Sequence, residues 1–290
     1  MKDFTLDNLT DEVVRAYTAN TADARLREIL AALIRHLHGF AREVALSEDE
    51  WLAAVRFLTA TGQQCDARRQ EFILLSDTLG LSMLVDAINH PKGGKGTAST
   101  VLGPFYVADA PVRPYGADLR ERALAGTTPC LVRGQVTDAD GRPLAAACVE
   151  VWQTAANGLY DVQDAEAPAW NLRGRLTTDD DGRYAFVTEQ PVSYPVPTDG
   201  PVGRLLDAAG RHAYRPAHIH FRISAPGHAT LVTHVFVAGD PYLDSDAVFA
   251  TKAALVGHFE RCDDAALGAR FGIAPPFTTL AFDFGLMTAA

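Results

Sequence analysis

Apolar residues recur at helical spacing through the first third of the chain and at strand spacing through the rest. Leu26, Ile29, Leu30, Leu33, Ile34 and Leu37 fall on one stripe with the 3.6-residue period of an amphipathic helix. Ser47 and Glu50 have capping-box spacing ahead of Trp51, Leu52, Val55 and Leu58, which starts a second helix near residue 48. A third is expected from about Ala67 through Phe72, Leu75, Leu79 and Met83 toward His90, where Pro91 ends it. Residues 9–90 therefore read as helical. The stretch 91–99 is glycine-rich, has no apolar periodicity and reads as a link; its GGKGT string lacks the spacing of a phosphate loop.

From about residue 129 the period changes. Cys130 to Thr137 reads as a strand, Asp138-Ala139-Asp140-Gly141 as a turn, and Ala147 to Thr154 as a second strand, together a hairpin. Asp179-Asp180-Asp181-Gly182 turns the chain before Tyr184 to Val187, and runs at 217–224 and 230–237 add further strands. Asp246 to Phe259 has some helical character. The expected fold is mainly β with an α N-terminal part: a helical region with its link over 1–99, then an antiparallel β-sandwich over 100–290, because each half-buried sheet must cover its apolar face.

Composition narrows the function. Hydrophobic residues make up 48% and charged residues 21% of 290, which suits an ordinary globular protein with a sizeable core. Against 26 Lys and Arg stand 36 Asp and Glu, and a formal charge of −10 opposes binding to nucleic acid or anionic membranes. Cys65, Cys130, Cys148 and Cys262 are scattered, with no C-x-x-C pair, as in a reducing compartment. No apolar leader and no run long enough to span a bilayer is seen, so the expected location is the cytoplasm.

Chemistry concentrates in the second half. On a strand, His218 and His220 project from one face while Ile219 points away, so the two imidazoles can chelate. Arg215 precedes them by three residues and sets a permanent cation beside them, for charge stabilisation or for a structural ion pair. Tyr160 follows the Asn157-Gly158 turn, and Tyr194 precedes Pro195, which biases it to be extended; either tyrosine alone could be core packing. His228 and His234 read as packing or supporting residues, and no role is assigned to the remaining histidines.

The strings Asn157-Gly158-Leu159-Tyr160, Ser193-Tyr194-Pro195 and Arg215-Pro216-Ala217-His218-Ile219-His220, within a sandwich preceded by helices, resemble the intradiol ring-cleavage dioxygenases over essentially the whole chain. The resemblance implies one Fe(III) held by Tyr160, Tyr194, His218 and His220. Phenolates are hard donors that suit this ion, whereas copper or structural zinc more often draws thiolates. It further implies an aromatic diol and O2 as substrates, ring opening between the two hydroxyls, and both oxygen atoms in the product. Tyr194 would yield its place when the diol binds, and Arg215 would stabilise negative charge on the bound ring.

Residues 71–90, 100–111 and 233–249 look most like the hydroxyquinol 1,2-dioxygenase branch, with catechol and chlorocatechol cleavage as the nearest alternatives. Candidate pocket walls are Met83 and Asp86, three apart on one helix face, and Leu102, Gly103, Pro104, Phe105 and Tyr106 opposite them. Asp86 would accept the proton of the third hydroxyl. The N-terminal helices are expected to dock two copies into a homodimer, and the resemblance adds a lipid between those helices. Two other classes stay open: a zinc-dependent hydrolase using His218, His220 and Glu150, and a non-catalytic transthyretin-like sandwich.

Overall fold

The structure, a computed structural model, describes residues 3–66, 69–90, 96–124 and 126–289. It has two compact units, Met1–Ala60 and Thr61–Ala290. In the first, α1 (Leu9–Thr18) packs against α2 (Ala24–Glu43), which begins where the Asp23 carboxylate accepts the N–H of Leu26 at 2.9 Å. α2 carries the expected stripe, yet none of its residues is fully buried, and Leu26, Ile29, Leu33 and Leu37 are exposed. The capping box opens α3 (Glu48–Gln63): the N–H of Ser47 donates to Glu50 at 2.9 Å, and the N–H of Glu50 to Ser47 Oγ at 3.3 Å.

The expected third helix is instead two, α4 (Glu71–Thr78) and α5 (Leu81–Asn89). Gly80 between them has φ +74°, a left-handed conformation that ends one helix and starts the next. An apolar period continuing across the break hides it in the sequence. The expected start at Ala67 and most of the glycine-rich link, Pro91 to Lys95, lie outside the described residues.

Two mixed sheets face each other. One joins β1 (Pro129–Asp138) to β4 (Arg183–Glu189) on one side and, on the other, to β11 (Phe277–Ala281) and β12 (Phe284–Leu286), with β10 (Glu260–Cys262) on the far edge of β11. The other runs β3 (Arg173–Thr177), β2 (Cys148–Trp152), β7 (His218–Ser224), β8 (Leu231–Val237), β9 (Val256–Gly257). Most ladders are antiparallel, whereas β1 runs parallel to β11 and β12, and β8 parallel to β9. Val132, Val136 and Phe186 from the first sheet meet Val149, Ile219 and Phe221 from the second in one buried core, as aligned sheet packing requires.

Two local expectations are corrected. The Asp138 to Gly141 turn forms, with the N–H of Gly141 donating to the Asp138 carbonyl at 3.0 Å, but β1 and β2 are not a hairpin. After the turn the chain crosses to the opposite sheet, because Val136 and Val149 are both needed in the core between the sheets. Residues 246–259 form the 3₁₀ turn Ala253–Leu255, the two-residue strand β9 and an otherwise irregular loop, with no α-helix. Short elements complete the unit: the two-residue pair β5 (Tyr194–Pro195) and β6 (Tyr214–Arg215), α6 (Pro201–Ala208) and α7 (Ala265–Arg270). Among the described residues no helix is long and apolar enough to cross a membrane, and all four cysteines are free.

Candidate metal centre

Strand alternation decides what β7 offers. Ile219, Phe221 and Ile223 enter the core, so His218 and His220 stand on the opposite face of the same sheet. Trp152 of β2 and His234 of β8 are the cross-strand partners of His220, one on each side, and share that face. Tyr160 comes from the Asn157-Gly158 turn, where Gly158 has φ +78° and an added Cβ would lie 3.2 Å from Cβ of Tyr194. Tyr194 is held by the β5–β6 pair, directly across from Arg215.

These elements bring four donor atoms together. The Tyr160 oxygen lies 2.8 Å from that of Tyr194 and 2.9 Å from Nε2 of His220. Nε2 of His218 lies 3.2 Å from Nε2 of His220 and 3.5 Å from the Tyr194 oxygen. Ligand bonds of about 2.0–2.1 Å meeting at 90–110° would space neighbouring donors by about 2.8–3.4 Å, so the cluster is of the right size to close on one ion. All four side chains are buried. The donor set, two oxygens and two nitrogens without a thiolate, suits a hard metal such as iron.

The ionisation states fit as well. Burial, then the Arg215 charge, holds His218 well below its ordinary value; burial, then His218, does the same to His220, so both imidazoles offer lone pairs. The Nδ1–H of His218 donates to the Pro216 carbonyl at 2.6 Å, which leaves Nε2 unprotonated, with a lone pair that accepts from Arg215 here and that a metal could take instead. Burial is also the first cause that raises both phenols, Tyr160 well above its usual range. Without a cation the phenols therefore stay protonated, and a metal ion is what would draw their protons off. Phe105 stacks on Tyr160 at 4.6 Å and Trp152 on His220 at 4.7 Å, fixing both rings.

Arg215 has two partners at once. Its Nε and Nη2 hold the Asp246 carboxylate at 3.2 and 3.4 Å, while Nη1 donates to Nε2 of His218 at 3.2 Å. The ion pair and the site cation are the same residue. Asp246 was not anticipated; it opens a segment whose sequence has some helical character, and nothing in that pattern marks it as a partner of Arg215.

The expected pocket walls divide. Gly103 closes on the site, since an added Cβ would sit 3.3 Å from Cε1 of His220, and Pro104 and Phe105 line a cavity of about 500 Å³. Gly158 and Pro195, neighbours of the two tyrosines, line the same cavity. Tyr106 packs edge-on to Trp152 and donates to Glu150 at 2.9 Å; Leu102 is exposed. Met83 packs in an apolar cluster with Val196 and Val248. Asp86 is not brought to the four donors: its carboxylate binds Lys252 Nζ at 2.9 Å and His90 Nδ1 at 3.0 Å. The same three-residue spacing occurs one helix earlier. Leu74 lines the cavity, and Asp77, buried and within the electrostatic reach of Arg215, has its carboxyl raised first by burial. Glu150 is bound by Arg222 and Tyr106 and stands outside the buried group His218, His220 and His234.

Comparison with known proteins decides the family. The dioxygenase family matches residues 101–288, and the catechol dioxygenase N-terminal family residues 23–97. The chain belongs to the intradiol ring-cleavage dioxygenases. It is 53% identical over 264 residues to 6-chlorohydroxyquinol 1,2-dioxygenase of Cupriavidus pinatubonensis, covering 91% of this chain and 95% of that one. It is 50% identical to hydroxyquinol 1,2-dioxygenase of Rhizobium sp., covering 91% and 89% of the two chains. A solved hydroxyquinol 1,2-dioxygenase from Pseudomonas putida DLL-E4 superposes with a TM-score of 0.89 at 49% identity, over 98% of this chain and 99% of that one. This intradiol dioxygenase is therefore an oxidoreductase of a non-haem iron family. The readings as a zinc hydrolase and as a non-catalytic sandwich are set aside.

Proposed function

We propose that this intradiol dioxygenase cleaves hydroxyquinol, benzene-1,2,4-triol, between its vicinal hydroxyls to hydroxymuconate, whose keto tautomer is maleylacetate. The observation that carries the chemistry is the convergence of four donors, each of Tyr160, Tyr194, His218 and His220 lying 2.8–3.5 Å from two of the others. The substrate rests on the named relatives at 50–53% identity. A ferric ion held by these four residues would supply the Lewis acid that accepts both diol oxygens and lets O2 react at ring carbon.

The chain's own residues do the remainder. The Tyr194 oxygen, the donor beside Arg215, takes a proton from the entering diol. Arg215, fixed by Asp246 and raised above its ordinary value despite burial, holds a permanent positive charge where negative charge develops. Phe105 and Leu74 supply apolar walls that orient the ring and exclude water. Asp77 takes the role first expected of Asp86 and addresses the third hydroxyl.

We further propose a homodimer formed through the exposed stripe of α2, with a lipid against the same helices, in the cytoplasm. A 20-residue amphipathic helix with no fully buried residue leaves apolar surface for a second copy to cover. The test of the activity is oxygen uptake with hydroxyquinol, catechol and a chlorocatechol, with product identification. A higher kcat/KM for hydroxyquinol, with one O2 consumed per ring opened, supports the reading; a higher value for catechol or chlorocatechol overturns the substrate assignment.

A further inference from the structure

Tyr160 sits in the loop 153–172 between β2 and β3, and the backbone bonds around it are local to its turn. Its N–H donates to Gln163 Oε1 at 3.1 Å, and its carbonyl accepts the N–H groups of Gln163 and Asp164 at 2.9 and 3.1 Å. The next residue ties that turn to the sheet. The Asp161 carboxylate is gripped by Arg173, the first residue of β3, through Nη2 at 2.6 Å and Nε at 3.2 Å. Both side chains are buried, Arg173 1% and Asp161 5% exposed. Among the described residues the Asp161 carboxylate has no other hydrogen-bond partner, and Nη1 of Arg173 has none at all. Each charge is compensated by the other alone.

Arg173 also stands on the face of the sheet that carries the metal centre. It is the cross-strand partner of Trp152, which is in turn the cross-strand partner of His220, so the three form one row. Trp152 stacks on His220 at 4.7 Å, and the charge of Arg173 reaches both Tyr160 and His220. A buried ion pair adds little stability that apolar side chains of the same volume could not supply; what it fixes is position.

We propose that Arg173 is a positioning residue for Tyr160: by clamping Asp161 it keeps the Tyr160 oxygen at the iron while Tyr194 gives way to the diol. This rests on the iron reading given above. Once Tyr194 has taken the proton of the entering diol and left its place, Tyr160 is the one protein oxygen donor that remains. Successive Cα atoms are about 3.8 Å apart, so a fixed Asp161 leaves Tyr160 little room to retreat. Such a hold from outside the ligand set is what keeps a ligand in its productive orientation.

The experiment compares iron-loaded wild type with Arg173→Lys and with a paired variant, Arg173→Met with Asp161→Leu, which removes both charges and leaves no lone buried ion. It reads iron retention against excess chelator and the resonance-enhanced tyrosinate vibrations, each in resting protein and after hydroxyquinol is added without oxygen. The paired variant is expected to weaken iron retention by about 10–100-fold. Its tyrosinate vibrations should weaken or shift, and more so with the diol bound, when Tyr160 alone supplies them. Arg173→Lys keeps the charge but loses the two-nitrogen grip and should move both readouts the same way by less. A folded paired variant with wild-type retention and vibrations overturns the proposal even if its urea midpoint falls, as does one whose vibrations change only in resting protein. If the paired variant does not fold, an unchanged Arg173→Lys overturns it. A wild-type protein that takes up no iron or shows no tyrosinate vibrations contradicts the iron reading itself, which separates the two failures.

Discussion

Arg215 and Asp246 form a buried two-point ion pair, Nε to Oδ1 at 3.2 Å and Nη2 to Oδ2 at 3.4 Å, that leaves one guanidinium nitrogen facing His218. A cation held this way needs no reorganisation when charge builds on a substrate. Replacing Arg215 with Leu should lower kcat by roughly 10²–10³-fold, the usual loss when one preorganised charge-stabilising donor is removed, while iron stays bound. Asp246→Asn leaves the buried guanidinium uncompensated and should cost about 3–5 kcal/mol of stability. Steady-state kinetics, metal analysis and urea unfolding check these; unchanged turnover in Arg215→Leu removes Arg215 from the mechanism.

Substrate choice should turn on Asp77. Replacing it with Ala is expected to lower kcat/KM for hydroxyquinol by about tenfold or more, the scale of one lost hydrogen bond to a buried polar group, and to affect catechol less. Asp86→Ala should instead disturb the Lys252 and His90 contacts without changing the ratio between the two substrates. Equal losses on both substrates in Asp77→Ala would end this assignment.

The metal-free protein should be sensitive to acid. His218, His220 and His234 are all depressed well below their ordinary value of 6.5, burial being the first cause of each. The unfolded chain therefore binds protons near pH 6.5 that the folded chain does not, and stability falls as pH drops below that value. Urea midpoints measured on metal-free protein at pH 7 and pH 5.5 should decrease; a midpoint that holds steady across this interval contradicts the neutral, buried state of these rings.

Much of this was legible in the sequence, and what was not has physical reasons. Tyr160, Tyr194, Arg215, His218 and His220 could be named because the strings around them resemble the ligand motifs of the intradiol family; strand alternation by itself gives only the shared face of His218 and His220, and either tyrosine alone reads as core packing. The break at Gly80 stayed hidden, since one glycine inside a continuing apolar run looks like a tolerated helix residue. The β1–β2 hairpin was misread because a tight turn at Asp138 to Gly141 has the same residues whether the next strand pairs back or crosses to the facing sheet. Asp246 pairs with Arg215, and Asp77 lies within reach of the same charge, only in the tertiary structure, which no local pattern encodes.

The exposed stripe of α2 carries its own test. Light scattering at micromolar concentration should give the mass of a dimer, and Leu33→Glu, which puts a charge on that stripe, should shift it toward monomer. A monomeric wild type excludes the dimer.

The claim on which all the chemistry depends is that Tyr160 and Tyr194 share one iron with His218 and His220. The most direct measurement is the visible spectrum of iron-loaded protein, wild type beside Tyr160→Phe and Tyr194→Phe, followed by hydroxyquinol added without oxygen. Wild type is expected to be coloured by phenolate-to-ferric charge transfer and to change colour as the diol binds, with each substitution weakening or shifting the band. A colourless protein containing stoichiometric iron, or a band untouched by both substitutions, would contradict the assignment.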